Sequence, residues 1–116
     1  MSKYSNSIEF LDKSVNVIID RTLGSIHPEL GIIYPLNYGF IPNTKSPDGE
    51  ELDAYILGIF EPISEFRGKC IAVLQRKNDD DDKLIVVPEG KDYSNEQISA
   101  LVEFVERYFD YTIFRD

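Results

Sequence analysis

The sequence predicts a mainly β protein with α: a small OB-like barrel, closed or partly open, with one C-terminal helix packed on it. Three observations predict it. Five or six short apolar runs are punctuated by turn residues, one amphipathic segment follows them, and neither an internal repeat nor a linker divides the 116 residues. A single domain over 1–116, long enough for its own hydrophobic core, is expected.

The elements follow in order. KSVNVIID (13–20) places Val15, Val17 and Ile19 at period 2, the mark of a strand with one buried face. IDRTLGSIHPEL (19–30) keeps neither the strand nor the helix period, and Gly24, Ser25 and Pro28 make it a loop that carries the only histidine, His27. GIIY and LNYGFI (31–41) are the next apolar runs, with Pro35 interrupting the pairing between them. LDAYILGIF (52–60) and GKCIAVLQ (68–75) read as strands joined by a loop with Pro62, and KLIVVP (83–88) as the last strand. From Ser94 to about Asp110 the period changes: Ser94 and Gln97 have capping-box spacing, and Ile98, Leu101, Val102, Val105 and Phe109 recur at helical intervals. The tail YTIF (111–114) offers apolar surface to its own barrel or to a second subunit, which would make a homo-oligomer.

Charge removes several classes of partner. A net charge of −9 disfavours nucleic acid, whose phosphates are met by Lys and Arg, and disfavours an anionic membrane surface for the same reason. A strand face that binds single-stranded nucleic acid is therefore the weakest reading of the barrel. Cys70 is the single cysteine, in GKCIAVL, so no intrachain disulfide forms and Cys70 is expected as buried packing. No apolar run reaches the ~18 residues of a membrane span, and MSKYSNSIEF lacks the apolar region of a signal peptide, so a cytoplasmic location is expected.

Two acidic clusters stand out. SPDGEELDAYIL (46–57) holds Asp48, Glu50, Glu51 and Asp53, and NDDDDK holds Asp79 to Asp82; together they carry eight of the 21 acidic residues. Two partly buried carboxylates about 4 Å apart repel by roughly 4 kcal/mol at an effective dielectric near 20, so either solvent screens them or a cation does. Oxygen donors of this kind suit Mg²⁺, Mn²⁺ or Ca²⁺ rather than zinc. Each cluster also has an ordinary explanation, a Pro-Asp-Gly turn and a solvated loop.

The stretch YPLNYGFIPNTKSPDGEELDAYIL (34–57) resembles the signature region of family I soluble inorganic pyrophosphatases. The pieces are Tyr34-Pro35-Leu36-Asn37-Tyr38-Gly39-Phe40-Ile41-Pro42, Thr44, Asp48-Gly49-Glu50 and Asp53; a second family element stands at Asp81-Asp82-Lys83-Leu84-Ile85-Val86-Val87-Pro88. The resemblance runs from about residue 13 to 110. It implies that Asp48, Asp53 and Asp81 are metal-binding aspartates, with Asp79 as an earlier one in the same loop and Asp20 at the acidic position of the first strand. It implies further that Glu50 activates the attacking water, that Tyr38 and Lys83 contact phosphate at the catalytic centre, and that Tyr108 contacts phosphate from the terminal helix. The family's basic residues after the first strand, before the YP motif and after the helix tyrosine are not in place here, the last being Phe109. Arg21 and His27, flanking Gly24-Ser25, are the candidate substitutes for binding substrate, ahead of Lys45 and Lys91.

The expected function is hydrolysis of pyrophosphate to two phosphates by a metal-activated water, with Mg²⁺ as cofactor and Mn²⁺ as the second candidate. The alternative is a catalytically weak module that binds metal with pyrophosphate or a nucleotide polyphosphate.

Overall fold

Alternation of apolar and polar residues in strands long enough to pair on both edges leads here to a closed sheet. The computed structural model describes residues 4–77 and 81–115. Its strands are β1 (Ser14–Arg21), β2 (Asn37–Phe40), β3 (Asp53–Ile56), β4 (Glu65–Arg76), β5 (Lys83–Val87) and β6 (Tyr111–Phe114), with one α-helix, α1 (Asn95–Glu106), and a 3-10 turn at Ser7–Phe10. The pairings β1–β2–β3–β5–β4 return to β1, which closes a five-stranded barrel. All neighbours are antiparallel except β3 and β5, which run parallel with Asp53 opposite Lys83.

The 12 residues of β4 serve three partners. One edge meets β5, while the other meets β1 along Glu65–Lys69 and β6 along Val73–Arg76. The tail YTIF is thus a sixth strand on its own barrel.

The barrel has two apolar faces. Val15, Val17, Ile19, Ala54, Ile56, Leu84 and Val86 point inside, where Ile8, Phe10 and Leu11 of the N-terminal segment pack against them. Tyr55, Leu57, Ile85 and Val87 point outward and are covered by Ile98 and Val102 of α1. Strand parity would put Cys70 and Ala72 on one face, yet Cys70 faces the interior and Ala72 the helix. A register shift between them accounts for this: one extra residue, Ile71, reverses the alternation for the rest of β4. Leu74 and Arg76 therefore share the helix-facing side with Ala72.

Helix α1 starts with the expected capping box: Ser94 Oγ accepts from Gln97 N at 3.1 Å, and Gln97 Oε1 accepts from Ser94 N at 2.8 Å. It ends at Glu106, four residues before the expected Asp110, in a tight turn where Tyr108 N and Phe109 N donate to the carbonyls of Val105 and Glu106. The early end leaves one part of the barrel's outer face uncovered. GIIY (31–34) forms no strand, only a bridge between Ile26 and Ile33 that makes residues 26–33 a short hairpin-like loop. No helix among the described residues is long and apolar enough to cross a membrane.

Candidate active site

The YPLNYGF stretch holds the site together through two residues that do not line its cavity. Asn37 is fully buried; its Oδ1 accepts from Leu23 N at 2.9 Å and from Ile63 N at 3.4 Å, and its Nδ2 donates to the Glu61 carbonyl at 3.0 Å. One side chain thereby ties the loops on either side of β2. Gly39 sits where β1 crosses closest, since a Cβ there would overlap the Ile18 carbonyl. Tyr38, between them, is turned to the helix-facing side.

That side of the sheet, just beyond the end of α1, forms a cavity of about 310 Å³. Tyr38, Asp53, Asp81, Lys83, Tyr55 and Arg76 line it from the strands and the acidic loop; His27 and Tyr34 close it from one side, Tyr108 and Phe109 from the other. The parallel register of β3 and β5 sets Asp53 beside Lys83. Lys83 Nζ donates to Asp53 Oδ2 at 2.7 Å, to Asp81 Oδ2 at 2.9 Å and to the Tyr38 hydroxyl at 2.7 Å. Its three N–H donors meet three acceptors, and its side chain is only 3% exposed. The repulsion expected between gathered carboxylates is thus answered, for Asp53 and Asp81, by an internal cation.

Burial raises the Asp53 carboxyl above 3.8, against the pull of Lys83 and of the hydrogen bond from Tyr38. Burial, then the Asp53 charge, lifts the Tyr38 hydroxyl well above 10. Tyr34 is raised by burial too, with Arg21 opposing.

A second cation closes the cavity wall. Arg76, at the end of β4 with a side chain 7% exposed, pairs side-on with Glu106: Nε to Oε1 at 2.9 Å and Nη2 to Oε2 at 2.8 Å. Glu106 is itself fully buried and also accepts from the Tyr55 hydroxyl at 2.7 Å. Arg76 Nη1 donates to Asp81 Oδ2 at 3.1 Å, and the guanidinium lies 3.7 Å above the Phe109 ring. Burial works against its charge, but Glu106 and Asp81 outweigh that and keep Arg76 protonated.

His27 stacks on Tyr34, with ring centroids 5.9 Å apart, and its Nδ1 accepts from the backbone N–H of Glu29 and Leu30 at 3.1 Å each. With Nδ1 engaged as an acceptor, the ring proton sits on Nε2.

Of the residues singled out in the sequence, Tyr38, Asp53, Asp81, Lys83, His27 and Tyr108 line the one cavity. Asp20, Arg21, Asp48 and Glu50 do not line it. Asp48 and Glu50 are exposed in the turn that Gly49 makes with φ 91°, where Asp48 Oδ1 accepts from Glu50 N at 2.9 Å. Asp20 is exposed at the end of β1, with Arg21, Glu51 and Lys83 in electrostatic reach of its carboxylate. Arg21 donates to the Asp20 carbonyl at 3.3 Å and hydrogen-bonds the Tyr34 hydroxyl. Asp79 lies outside the described residues.

Sequence reading missed Arg76 and Glu106. One signal was present, Glu106 falling four residues after Val102 on the apolar stripe of α1, whereas the helix-facing placement of Arg76 follows only from the bulge at Ile71. A charge on each of two packed apolar faces predicts a buried pair.

Among the described residues, no three His, Cys, Asp or Glu side chains converge to hold a metal unaided. Asp53 and Asp81 do bring one oxygen each to a single point, where an ammonium now sits. Two hard oxygen donors at one point fit Mg²⁺, which keeps several waters and takes one or two carboxylates with substrate phosphates.

A sequence model of the family described as inorganic pyrophosphatase matches residues 3–113. The inorganic pyrophosphatase of Helicobacter pylori is 32% identical over 127 aligned residues, covering 95% of this chain and 70% of that protein. That of Pseudomonas aeruginosa is 37% identical over 105 residues, covering 86% of this chain and 54% of its own length. The crystal structure of inorganic pyrophosphatase from Ehrlichia chaffeensis shares the fold with a TM-score of 0.70 at 22% identity, covering 99% of this chain and 91% of that one.

Proposed function

The chain belongs to the inorganic pyrophosphatase family, and from that membership we propose that it hydrolyses inorganic pyrophosphate to two phosphates, with a divalent cation activating the attacking water. The observation that carries this reading is the meeting of Asp53, Asp81, Tyr38 and Lys83 at one point in a cavity.

Charge explains why a cation is needed. Among the described residues, the three carboxylates of Asp53, Asp81 and Glu106 outnumber the two cations paired with them, Lys83 and Arg76, so this cluster is already net negative before a multiply charged anion enters. Divalent ions invert that local field. Mg²⁺, when bound, lowers the pKa of a water and neutralises charge on the leaving phosphate.

This chain's own groups divide the remaining work. Asp53 and Asp81 would hold the ion. Lys83 and Tyr38, at the same point, donate to phosphate oxygens. His27 Nε2 and the Tyr108 hydroxyl offer donors from the two side walls, and Arg21, through Tyr34, steadies one of those walls. Asp20, Asp48 and Glu50, exposed and away from the cavity lining, take no direct part in this division of work. A buried, lone Cys70 is consistent with a reducing, cytoplasmic setting.

The test is phosphate release from pyrophosphate, a nucleoside triphosphate and a phosphomonoester, each with Mg²⁺ and with chelator. Pyrophosphate is expected to be cleaved fastest and only with metal; no release from pyrophosphate with Mg²⁺ or Mn²⁺ would refute the reading.

A further inference from the structure

We infer that Arg76 is a substrate-docking residue of this cavity, presenting its guanidinium to a phosphate of the bound pyrophosphate while Glu106 and Phe109 hold it in place. The inference rests on the pyrophosphatase reading above. It adds a cation that neither the motifs nor the family resemblance assigns.

The geometry separates the two edges of the guanidinium. Glu106 takes the side-on edge, Nε with Nη2, in a two-point pair that fixes the plane of the group. The Phe109 ring, 3.7 Å from the guanidinium carbon, fixes the same plane from its face. The end-on edge, which includes Nη1, is then the one carried to Asp81 and the cavity wall. An arginine needed only to join α1 to β4 would be served by Glu106 alone. This one reaches past Glu106 to a carboxylate that already shares Lys83.

Pre-organisation is the physical point. A flexible lysine loses rotamer entropy on gripping a phosphate, whereas a guanidinium locked in plane by a buried carboxylate and a ring has already lost it. Glu106 is locked in turn by the Tyr55 hydroxyl, so the support reaches the centre of the packed layer under α1. The planar fork also matches two oxygens of one phosphate.

A structural role and a docking role differ in sign. A cation beside Asp81 opposes Mg²⁺ and favours phosphate, so its loss weakens phosphate binding without weakening Mg²⁺ binding. A damaged fold weakens both. Removing Arg76 alone would strand Glu106 as a buried unpaired charge, so the variant to use is Arg76→Gln with Glu106→Gln, which keeps a hydrogen-bonding pair without charge.

Titration calorimetry of the whole chain would measure Mg²⁺ alone, then imidodiphosphate, the P–N–P analogue, at saturating Mg²⁺. In the double variant the analogue is expected to bind at least about tenfold more weakly, the loss of one charge-assisted contact, with Mg²⁺ affinity unchanged or tighter. Wild-type affinity for the analogue, or a parallel loss of both affinities, would overturn the inference. Should the double variant lose its melting transition, Arg76→Lys takes its place; it keeps the charge but loses the fork, so several-fold weaker analogue binding is expected and equal binding overturns the inference. Analogue binding absent from the wild type would instead refute the pyrophosphatase reading itself, and this inference with it.

Discussion

Lys83 Nζ lies 2.7 Å from Asp53 Oδ2, the two residues standing side by side across the parallel register of β3 and β5. This pair, with Asp81, cancels carboxylate charge at one point, as a divalent cation there would. Lys83→Met removes the ammonium and leaves Asp53 and Asp81 facing each other. Breaking a buried pair from one side costs about 3 kcal/mol, and the melting temperature in chelator should fall by about 10 °C. Mg²⁺ should then raise the melting temperature by more than it does in the wild type, because its competitor is gone. Equal melting of the two proteins in chelator would contradict the pairing.

Gly39 tests the support under Tyr38. A Cβ at this position overlaps the Ile18 carbonyl, where neither backbone can give way without opening the β1–β2 pairing. Gly39→Ala is expected to cost more than about 3 kcal/mol and to leave little folded protein by circular dichroism. Gly49→Ala, in open space at φ 91°, is expected to cost only about 1–3 kcal/mol from backbone strain. Similar melting temperatures for both variants would contradict this ordering.

Cys70 predicts an alkaline limb. Burial pushes its thiol from 9.0 up to about 11. The folded chain keeps this proton where the unfolded chain has lost it, so stability falls as pH rises from about 9 to about 11. The contribution is about 2–3 kcal/mol at the upper end. Denaturant unfolding of wild type and Cys70→Ala across this range should show a shallower slope for the variant; parallel slopes would mean that the thiol is not shielded. The half-buried Tyr38 and the buried Tyr55, both lifted well above 10, add a limb that survives the substitution.

Glu50 separates motif from placement. The family resemblance gives it the role of activating water, while its side chain is exposed in the Asp48–Gly49 turn and does not line the cavity. Glu50→Gln is expected to lower kcat by less than about tenfold, under 1.4 kcal/mol. A drop of several hundredfold in pyrophosphate turnover would return Glu50 to the chemistry.

What could be read in the sequence follows from the range of the interactions involved. The alternation of Val15, Val17 and Ile19 and the Ser94–Gln97 cap are local, and both stand where expected. The family motif carried Tyr38, Asp53, Asp81 and Lys83 into one list, and the structure brings them to one cavity. The parallel pairing of β3 and β5 was not legible, because register between strands some 30 positions apart leaves no local periodicity. Tyr111–Phe114 is too short to show a period, and only its partner β4, long enough to serve three neighbours, makes it a strand. Arg76 was hidden by the bulge at Ile71, which reverses the faces of β4, and without it the glutamate on the apolar stripe of α1, Glu106, had no visible partner.

The central claim is that Asp53 and Lys83 form the centre of a metal-dependent pyrophosphatase site. The most direct test is the rate of phosphate release from pyrophosphate at saturating Mg²⁺ for wild type and Asp53→Asn, with both proteins shown to be folded by melting. On this account Asp53 holds the cation, and its loss removes several kcal/mol of transition-state stabilisation, so a fall of at least about 100-fold is predicted. Turnover by Asp53→Asn at the wild-type rate would contradict the account.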